Sequence, residues 1–457
     1  MLRLWNTRTR REEEFAPIRP GEVGFYACGP TVYQRAHIGN FRAYIMEDVL
    51  RRTLEAEGLR VMHVMNITDV GHLTDDASEG EDKMEQEARK EGRSAWEIAS
   101  EFTRIFFEDA KALNILKPTL SPKATEHIDT QIDLIKILEK KGFTYTTSDG
   151  VYFDTSKWQK YGSFSGQRVE DKEEGARVEK NPEKRNPADF ALWKFSPKEE
   201  KRQMEWESPW GTGFPGWHIE CSAMSQDALG QPFDIHAGGV DHLPVHHENE
   251  IAQSEAAFGV PLANWWMHIE FLLVDNTKMS KSLGNAYTLS DMEERGIDPL
   301  AFRYFVLGAH YRQKQNFTWD ALKAAATALN KLRNIVRDWE APDGSVADVE
   351  LEFFDAIEDD LNTSKALSTV WKLVDSNHPT AAKSASLIRM DQVLGLNFEP
   401  FINAPIRVPR EITELMTERE HARAAKNWSE ADRVRRAIEE KGWTIDDTPQ
   451  GPKARPV

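Results

Sequence analysis

Two kinds of apolar spacing alternate along the start of the chain. Phe25-Tyr26-Ala27 closes a short apolar run, and beyond the turn-like stretch Cys28 to Asn40 come Ile45, Met46, Val49, Leu50 and Leu54. The second set recurs every three or four residues, the spacing of one buried helix face. A helix is therefore predicted over 41–54, with Gly58 suited to end it. Arg60 to Asn66 reads as a second strand. Strand, tight turn, helix and strand make a parallel unit, and in an open parallel sheet ligands sit beyond the carboxyl ends of the strands. Cys28 and Thr68 both fall at such ends and are expected to share a crevice.

Residues 1–24, with mixed charge and the turn Pro20-Gly21, predict a lead-in hairpin or arm. Residues 72–116 are acidic and helical in pattern around a polar loop at 75–83. A further helix is predicted over 126–141, and a hairpin over 144–153 about Asp149-Gly150. The stretch 170–200, rich in Lys, Glu, Asn and Pro, reads as a mobile connection between two halves of one sheet. The second half follows Gly213: a strand at 234–237, the Gly238-Gly239 turn, a helix over 246–258 closed by Gly259, and a strand over 266–274. From Asp298 helical patterns dominate (301–310, 319–339, 351–375, 381–394), and a separate segment follows Pro405. The expected class is α/β. A Rossmann-like domain spans 1–297 with an inserted region at about 115–210, a helical region spans 298–405, and a small segment spans 406–457.

The 457 residues, 40% hydrophobic and 29% charged, are the composition of a globular protein with ample core. No run approaches the roughly 18 apolar residues of a membrane span, and Met1 to Asn6 resembles no signal peptide, so a cytoplasmic location without membrane contact is expected. The net charge of −17 argues against bulk coating of nucleic acid but leaves room for a local basic face. Two cysteines are too few for a disulfide framework. Both Cys28 and Cys221 lie near histidines, which makes metal binding an alternative to inert burial.

His246 and Glu250, four apart, project from one helix face. With Cys28 and Cys221 they form two thiols, an imidazole and a carboxylate, a donor set for tetrahedral zinc; the spacing alone fits a polar helix face and two buried thiols equally well. A zinc-protease pattern is excluded, because Ile251 stands where a second histidine is required. His236, His242 and His247 are alternatives to His246 or its neighbours in support. His37, at a helix start between Gly29 and Gly39, suits a phosphate site, since helix N-termini present unpaired N–H groups. The loop Lys278-Met279-Ser280-Lys281-Ser282 gathers two ammonium groups and two hydroxyls that can neutralise phosphate charge, although Lys-Ser loops are also common on plain surfaces.

Six stretches taken together carry a resemblance over nearly the whole chain. They are Tyr26 to Tyr33, His37-Ile-Gly-Asn40, Asn66-Ile-Thr-Asp69, Gly216 to Met224, His246 to Ser254 and Lys278 to Ser282. In these the chain resembles the cysteinyl-tRNA synthetases, a family of class I aminoacyl-tRNA synthetases, and Asp447 to Gly451 resembles that family's C-terminal end. The resemblance implies zinc on Cys28, Cys221, His246 and Glu250. It puts the catalytic groups on His37, Asn40, Lys278 and Lys281, and ATP contacts on Gly29, Thr31, His37, Gly39, Asn40, Lys278, Ser280 and Lys281. Cys28, Thr68, Trp217 and Asp241 fall where the family lines its amino-acid pocket. One departure stands out: Asp241-His242-Leu243-Pro244-Val245 replaces the usual Asp-Leu-x-Phe-Pro before the paired histidines.

The implied reaction activates L-cysteine with ATP and Mg2+ to cysteinyl-adenylate, then passes the acyl group to tRNA(Cys). One zinc per chain sorts cysteine from serine, no editing domain is needed, and the protein is expected to be a monomer. The region from about 298 would contact the tRNA stem. The segment after Pro405 would hold the anticodon end through Arg407, Arg410, Arg419, Arg423, Lys426, Arg433, Arg435 and Arg436, with Trp428 for base stacking. Its nearby acids also fit a plain solvated face. Two rival readings are a ligase that passes cysteine to an aminosugar, as in mycothiol biosynthesis, and an inactive relative that binds RNA or zinc.

Overall fold

Four parallel strands organise the N-terminal part of the chain, in the spatial order Ala263–Ile269, Phe233–Gly239, Glu22–Ala27, Arg60–Met65. This comes from a computed structural model, which describes residues 1–70, 83–166, 181–197, 201–280, 283–448 and 451–456. The strand order reverses between Glu22–Ala27 and Phe233–Gly239, and it is at such a switch point that a ligand crevice opens. The helix predicted over 41–54 runs Ile38–Ala56, because His37 caps it: Nδ1 of His37 accepts the Asn40 amide and Oδ1 of Asn40 accepts the His37 amide. Its buried face (Ile38, Phe41, Ile45, Met46, Val49, Leu50, Leu54) follows the sequence periodicity. The lead-in is a hairpin, Arg3–Asn6 against Arg11–Glu14.

Two expectations fail in this part of the chain. The single strand over 266–274 is two, Ala263–Ile269 and Leu272–Val274, the second pairing with Gln315–Phe317 and Thr277–Lys278. Between them the carbonyls of Glu270 and Phe271 accept from the Arg42 guanidinium. The stretch 170–200 is not wholly a connection, although 167–180 and 198–200 lie outside the described residues. Phe190–Phe195 is an inner strand of an antiparallel sheet, ordered Thr144–Thr146, Gly150–Phe153, Phe190–Phe195, Gly213–Pro215. The six residues Phe-Ala-Leu-Trp-Lys-Phe were outweighed by the polar composition around them. The core of this inserted sheet (Val151, Phe153, Phe190, Leu192) is continuous with Ile219, Ala223, Ala252 and Ala256. It therefore buttresses the two helices, Trp217–Leu229 and Glu248–Phe258, that carry Cys221 and Glu250.

The chain divides into two compact units, one of residues 1–318 and 355–364, the other of 319–354 and 365–457. The pattern over 351–375 is broken into Ala347–Glu358 and Thr363–Asp375: Asp360 and Leu361, in the stretch 355–364 that belongs to the first unit, adopt positive φ (54° and 55°), which no continuous helix contains, before the chain returns to the second unit. Its last segment packs helices Arg410–Ala424 and Trp428–Glu439 and the hairpin Trp443–Thr448 with Gly451–Pro456 around Ile412, Val434, Ile438, Ile445 and Ala454. No described helix is long and apolar enough to cross a membrane.

Candidate active site and metal centre

The turn after Glu22–Ala27 is pinned at the strand ends. The Cys28 amide donates to the carbonyl of Ala237 (3.1 Å), and the Gly29 amide to Oδ1 of Asn66 (2.8 Å). Asn66 also donates from Nδ2 to Oγ1 of Thr68 (3.1 Å). Gly29 admits no side chain: a Cβ would stand 1.7 Å from the Asn66 carbonyl oxygen. The crevice so formed is a cavity of about 280 Å³. Cys28, Gly29, Thr31, His37, Asn40, Thr68, Trp217, Cys221, Asp241 and His246 line it, so the two strand ends do share it. Because Nδ1 of His37 accepts a backbone amide, its Nε2 is the donor nitrogen.

One wall of this cavity is a buried cluster of metal-ligand types. Single ligand atoms of Cys28, Cys221, His246 and Glu250 all lie within 4.8 Å of one another, and so do those of Cys28, His236, His247 and Glu250. The i, i+4 spacing places Trp217 with Cys221, and His246 with Glu250, on single helix faces. The altered turn before the paired histidines is a π-helical turn, Leu243–His247, that runs straight into the helix and leaves both His246 and His247 inside. His246 stacks on Trp217 (centroids 4.2 Å apart), its Nδ1 lies 3.0 Å from Nδ1 of His218, and its Nε2 is 3.1 Å from Oε1 of Glu250. The other Glu250 oxygen is 3.0 Å from Nε2 of His236, and His247 Nε2 is 3.4 Å from the Cys28 sulfur. Burial pushes the Cys28 thiol well above its ordinary pKa, and neighbouring Cys221 and Glu250 add to it. Two thiols, an imidazole and a carboxylate, buried and mutually within coordination reach, fit a tetrahedral cation. The His236–His247 set lacks the second thiol, and neither of those histidines lines the cavity.

A second, smaller cavity of about 120 Å³ shares His37, Asn40 and Asp241 with the first. Gly39, Ala43, Gly239, Ile269, Glu270, Phe271, Leu272, Lys278 and Met279 complete it. The Lys278 ammonium stands over the Phe271 ring, 4.7 Å from its centroid. The Ser280 amide donates to Oδ1 of Asn285 (2.8 Å), which shapes the loop, and Ser280 lines neither cavity.

The family of tRNA synthetases class I (C) catalytic domain matches residues 14–327. The cysteine–tRNA ligase 1 of Burkholderia lata is 52% identical over 98% of this chain and 96% of its own length. This chain belongs to the cysteine–tRNA ligase family. The cysteine–tRNA ligases of Treponema denticola (43% identical) and Thermus thermophilus (41%) cover 98% and 99% of it, and are themselves covered over 98% and 99%. Solved structures share the fold at low identity. The methionyl-tRNA synthetase of Mycobacterium tuberculosis with methionyl-adenylate has a TM-score of 0.56 at 15% identity, covering 82% of this chain and 90% of its own. The LeuRS of Agrobacterium radiobacter K84, in a ternary complex with tRNA and LeuAMS, has a TM-score of 0.59 at 13%, covering 85% of each.

In this member of the cysteine–tRNA ligase family, twelve of the site residues named from the resemblance line one or both cavities, and Glu250 lies buried behind the first. Lys281 and Ser282 lie outside the described residues. Sequence reasoning passed over Asn66 as an organiser of the turn, Tyr44 as lining, and His218 as the partner of His246. It also passed over Glu248, whose buried carboxylate accepts the amides of Gly162 and Ser165 (2.8 Å each) and so ties the stretch 162–165 to the helix that carries Glu250. Glu47, on the first helix, is fully buried, with both carboxyl oxygens unpaired among the described residues; burial pushes its pKa up to about 8. The available signal for Glu47 was an acid on the apolar face of an amphipathic helix.

Proposed function

We propose that the chain activates L-cysteine with ATP to cysteinyl-adenylate and transfers the cysteinyl group to the 3′ end of tRNA(Cys). The observation that carries this reading is the junction of the two cavities at His37, Asn40 and Asp241. A thiol-rich donor cluster walls one side and the Lys278 ammonium the other. Cysteine would occupy the larger cavity, with Thr68, Trp217 and Asp241 about it, so that its carboxylate faces the junction. Cys28, Cys221, His246 and Glu250 would hold a zinc ion, whose softness toward sulfur favours a thiolate over serine's hydroxyl. His218 and Trp217 orient the His246 ring for that task.

ATP would lie with its phosphates toward the helix N-terminus at His37–Asn40. The cysteine carboxylate attacks the α-phosphorus and pyrophosphate leaves. The Nε2–H of His37, the amides of the first helical turn, and the ammonium groups of Lys278 and Lys281 meet the charge that grows on the phosphate oxygens. Gly29, Thr31, Gly39 and Ser280 complete the nucleotide contacts in this reading, and Mg2+ accompanies ATP. Fixed donors of this kind act without reorganising during the reaction, which is why they lower the barrier.

The tRNA would be held by the region from about 298 and by 406–457. In the latter most guanidiniums are paired within the segment: Arg410 to Glu414, Arg419 and Arg423 to Asp447, Arg433 to Glu430 and Glu418, Arg435 to Glu439. Trp428 is exposed and Lys426 makes no ion pair among the described residues, which leaves an aromatic platform beside a cation for a single-stranded loop. A cytoplasmic monomer completes the reading. The test is zinc content together with cysteine-dependent ATP–pyrophosphate exchange, cysteine against serine, followed by charging of tRNA(Cys). Exchange that is absent, or equal with serine, refutes it.

A further inference from the structure

Among the described residues, two arginines of the first unit are almost wholly buried, and they are held differently. Arg303 faces Asp48 at 2.6 Å. Arg42, 1% exposed, reaches carbonyl oxygens instead: Nη1 donates to Glu270 (2.7 Å) and Phe271 (2.5 Å), Nη2 to Gln313 and, at 3.4 Å, to His310. Burial lowers its pKa to about 10, so it stays charged at neutral pH. A buried cation whose hydrogen bonds all go to peptide carbonyls, with Glu270 attracting it only through space, is costly where methionine would fill the space. What only a planar fork of donors can do is tie several backbones together.

The backbones it ties are those of the nucleotide side. Arg42 belongs to the helix whose first turn carries His37 to Asn40. Phe271, whose carbonyl it holds, supplies the ring beneath the Lys278 ammonium. The loop approaches the helix so closely that a Cβ on Gly39 would stand 2.9 Å from Cε of Met279. We propose that Arg42 is a positioning residue for the ATP-dependent step: through Phe271 it sets where the Lys278 ammonium stands relative to the His37–Asn40 turn. The role rests on the ATP reading given above.

The test compares wild type with Arg42→Lys, Arg42→Met, Phe271→Leu and the pair Arg42→Lys/Phe271→Leu. Losing charge-assisted bonds to two segments should lower kcat/KM for ATP in pyrophosphate exchange about 100-fold in Arg42→Met, with lysine restoring about tenfold of that. Phe271→Leu, which keeps the backbone bonds, should cost about fivefold, and the pair should cost less than the product of its singles, because both act on Lys278. Zinc content and the KM for cysteine should stay at wild-type values. An unchanged kcat/KM for ATP in a folded variant, multiplicative effects in the pair, or zinc and cysteine affinity falling in step with ATP would each overturn the role. An inactive wild type overturns the assigned reaction instead, so the two failures are told apart.

Discussion

Asp48 and Asp447 are both carboxylates held between two arginines, but they sit in different surroundings. Asp48, in the first unit, is 1% exposed and lies 2.7 Å from Arg52 and 2.6 Å from Arg303, with the Leu116 amide at 2.8 Å. Asp447, in the second, accepts two bonds of 3.0 Å from Arg419 and one of 2.5 Å from Arg423 while remaining 49% exposed. The contrast extends through each unit. The first buries His236, His246, His247, Glu248 and Glu250: Glu250 stands between His236 and His246, and Glu248 accepts the amides of Gly162 and Ser165. The last segment of the second unit holds Arg410, Arg433 and Arg435 at the surface in ion pairs, with Arg419 buried beside Asp447. In the proposed reading, buried groups of fixed geometry suit the discrimination of a small substrate, and screened charges that tolerate adjustment suit a long polyanion.

The sharpest break of this comparison is Cys221→Ser. Removing one sulfur from the cluster should abolish zinc binding, and the KM for cysteine should rise more than about 100-fold, as expected when a site loses its one discriminating ligand. Metal analysis and exchange kinetics would read it, and retained zinc with normal rejection of serine would refute the ligand assignment. Asp48→Asn comes next. It leaves Arg303 buried without its counter-charge, so the first unit should lose about 3–5 kcal/mol of stability, seen as a marked fall in its thermal transition. A change below about 1 kcal/mol would show that the pair is not desolvated as its burial implies.

The legible parts of the site were those whose residue types are chemically costly to place. Two cysteines near histidines, a glycine-flanked histidine before a helix and a doubled lysine loop are conspicuous in any chain, and their order along this one carried the resemblance. What escaped was support whose partners are backbone atoms. Arg42 bonds to carbonyls and Glu248 to amides, and no sequence pattern names such partners. The strand Phe190–Phe195 was hidden by composition, and the break at Asp360-Leu361 by a periodicity that both flanking helices share. The turn at Leu243–His247 shows the converse: its order of residues departs from the family pattern, yet it is a regular π-helical turn.

In the second unit, reversing Arg435 and Arg436 to glutamate should raise the KM for tRNA(Cys) about tenfold, an effect that grows as salt is lowered, while cysteine-dependent exchange is unaltered. If exchange fell equally, the segment would be a folding element and the surface half of the comparison would be lost.

The smallest expected effect is that of Asp447→Asn. Arg419, foremost, and Arg423 hold the Asp447 carboxyl well below the usual carboxylate range. A depressed folded-state pKa contributes stability that is complete above the unfolded value, about 4, and disappears as pH falls toward the depressed one. Because half of the side chain is in solvent, screening should keep this contribution below about 1 kcal/mol at neutral pH. The wild type should therefore exceed Asp447→Asn slightly in the thermal stability of the second unit at pH 7, and the two should converge on acidification below about pH 4. A gap of several kcal/mol at pH 7, or one that widens in acid, would mean that the C-terminal pair behaves like Asp48, and that the second unit too depends on buried charge.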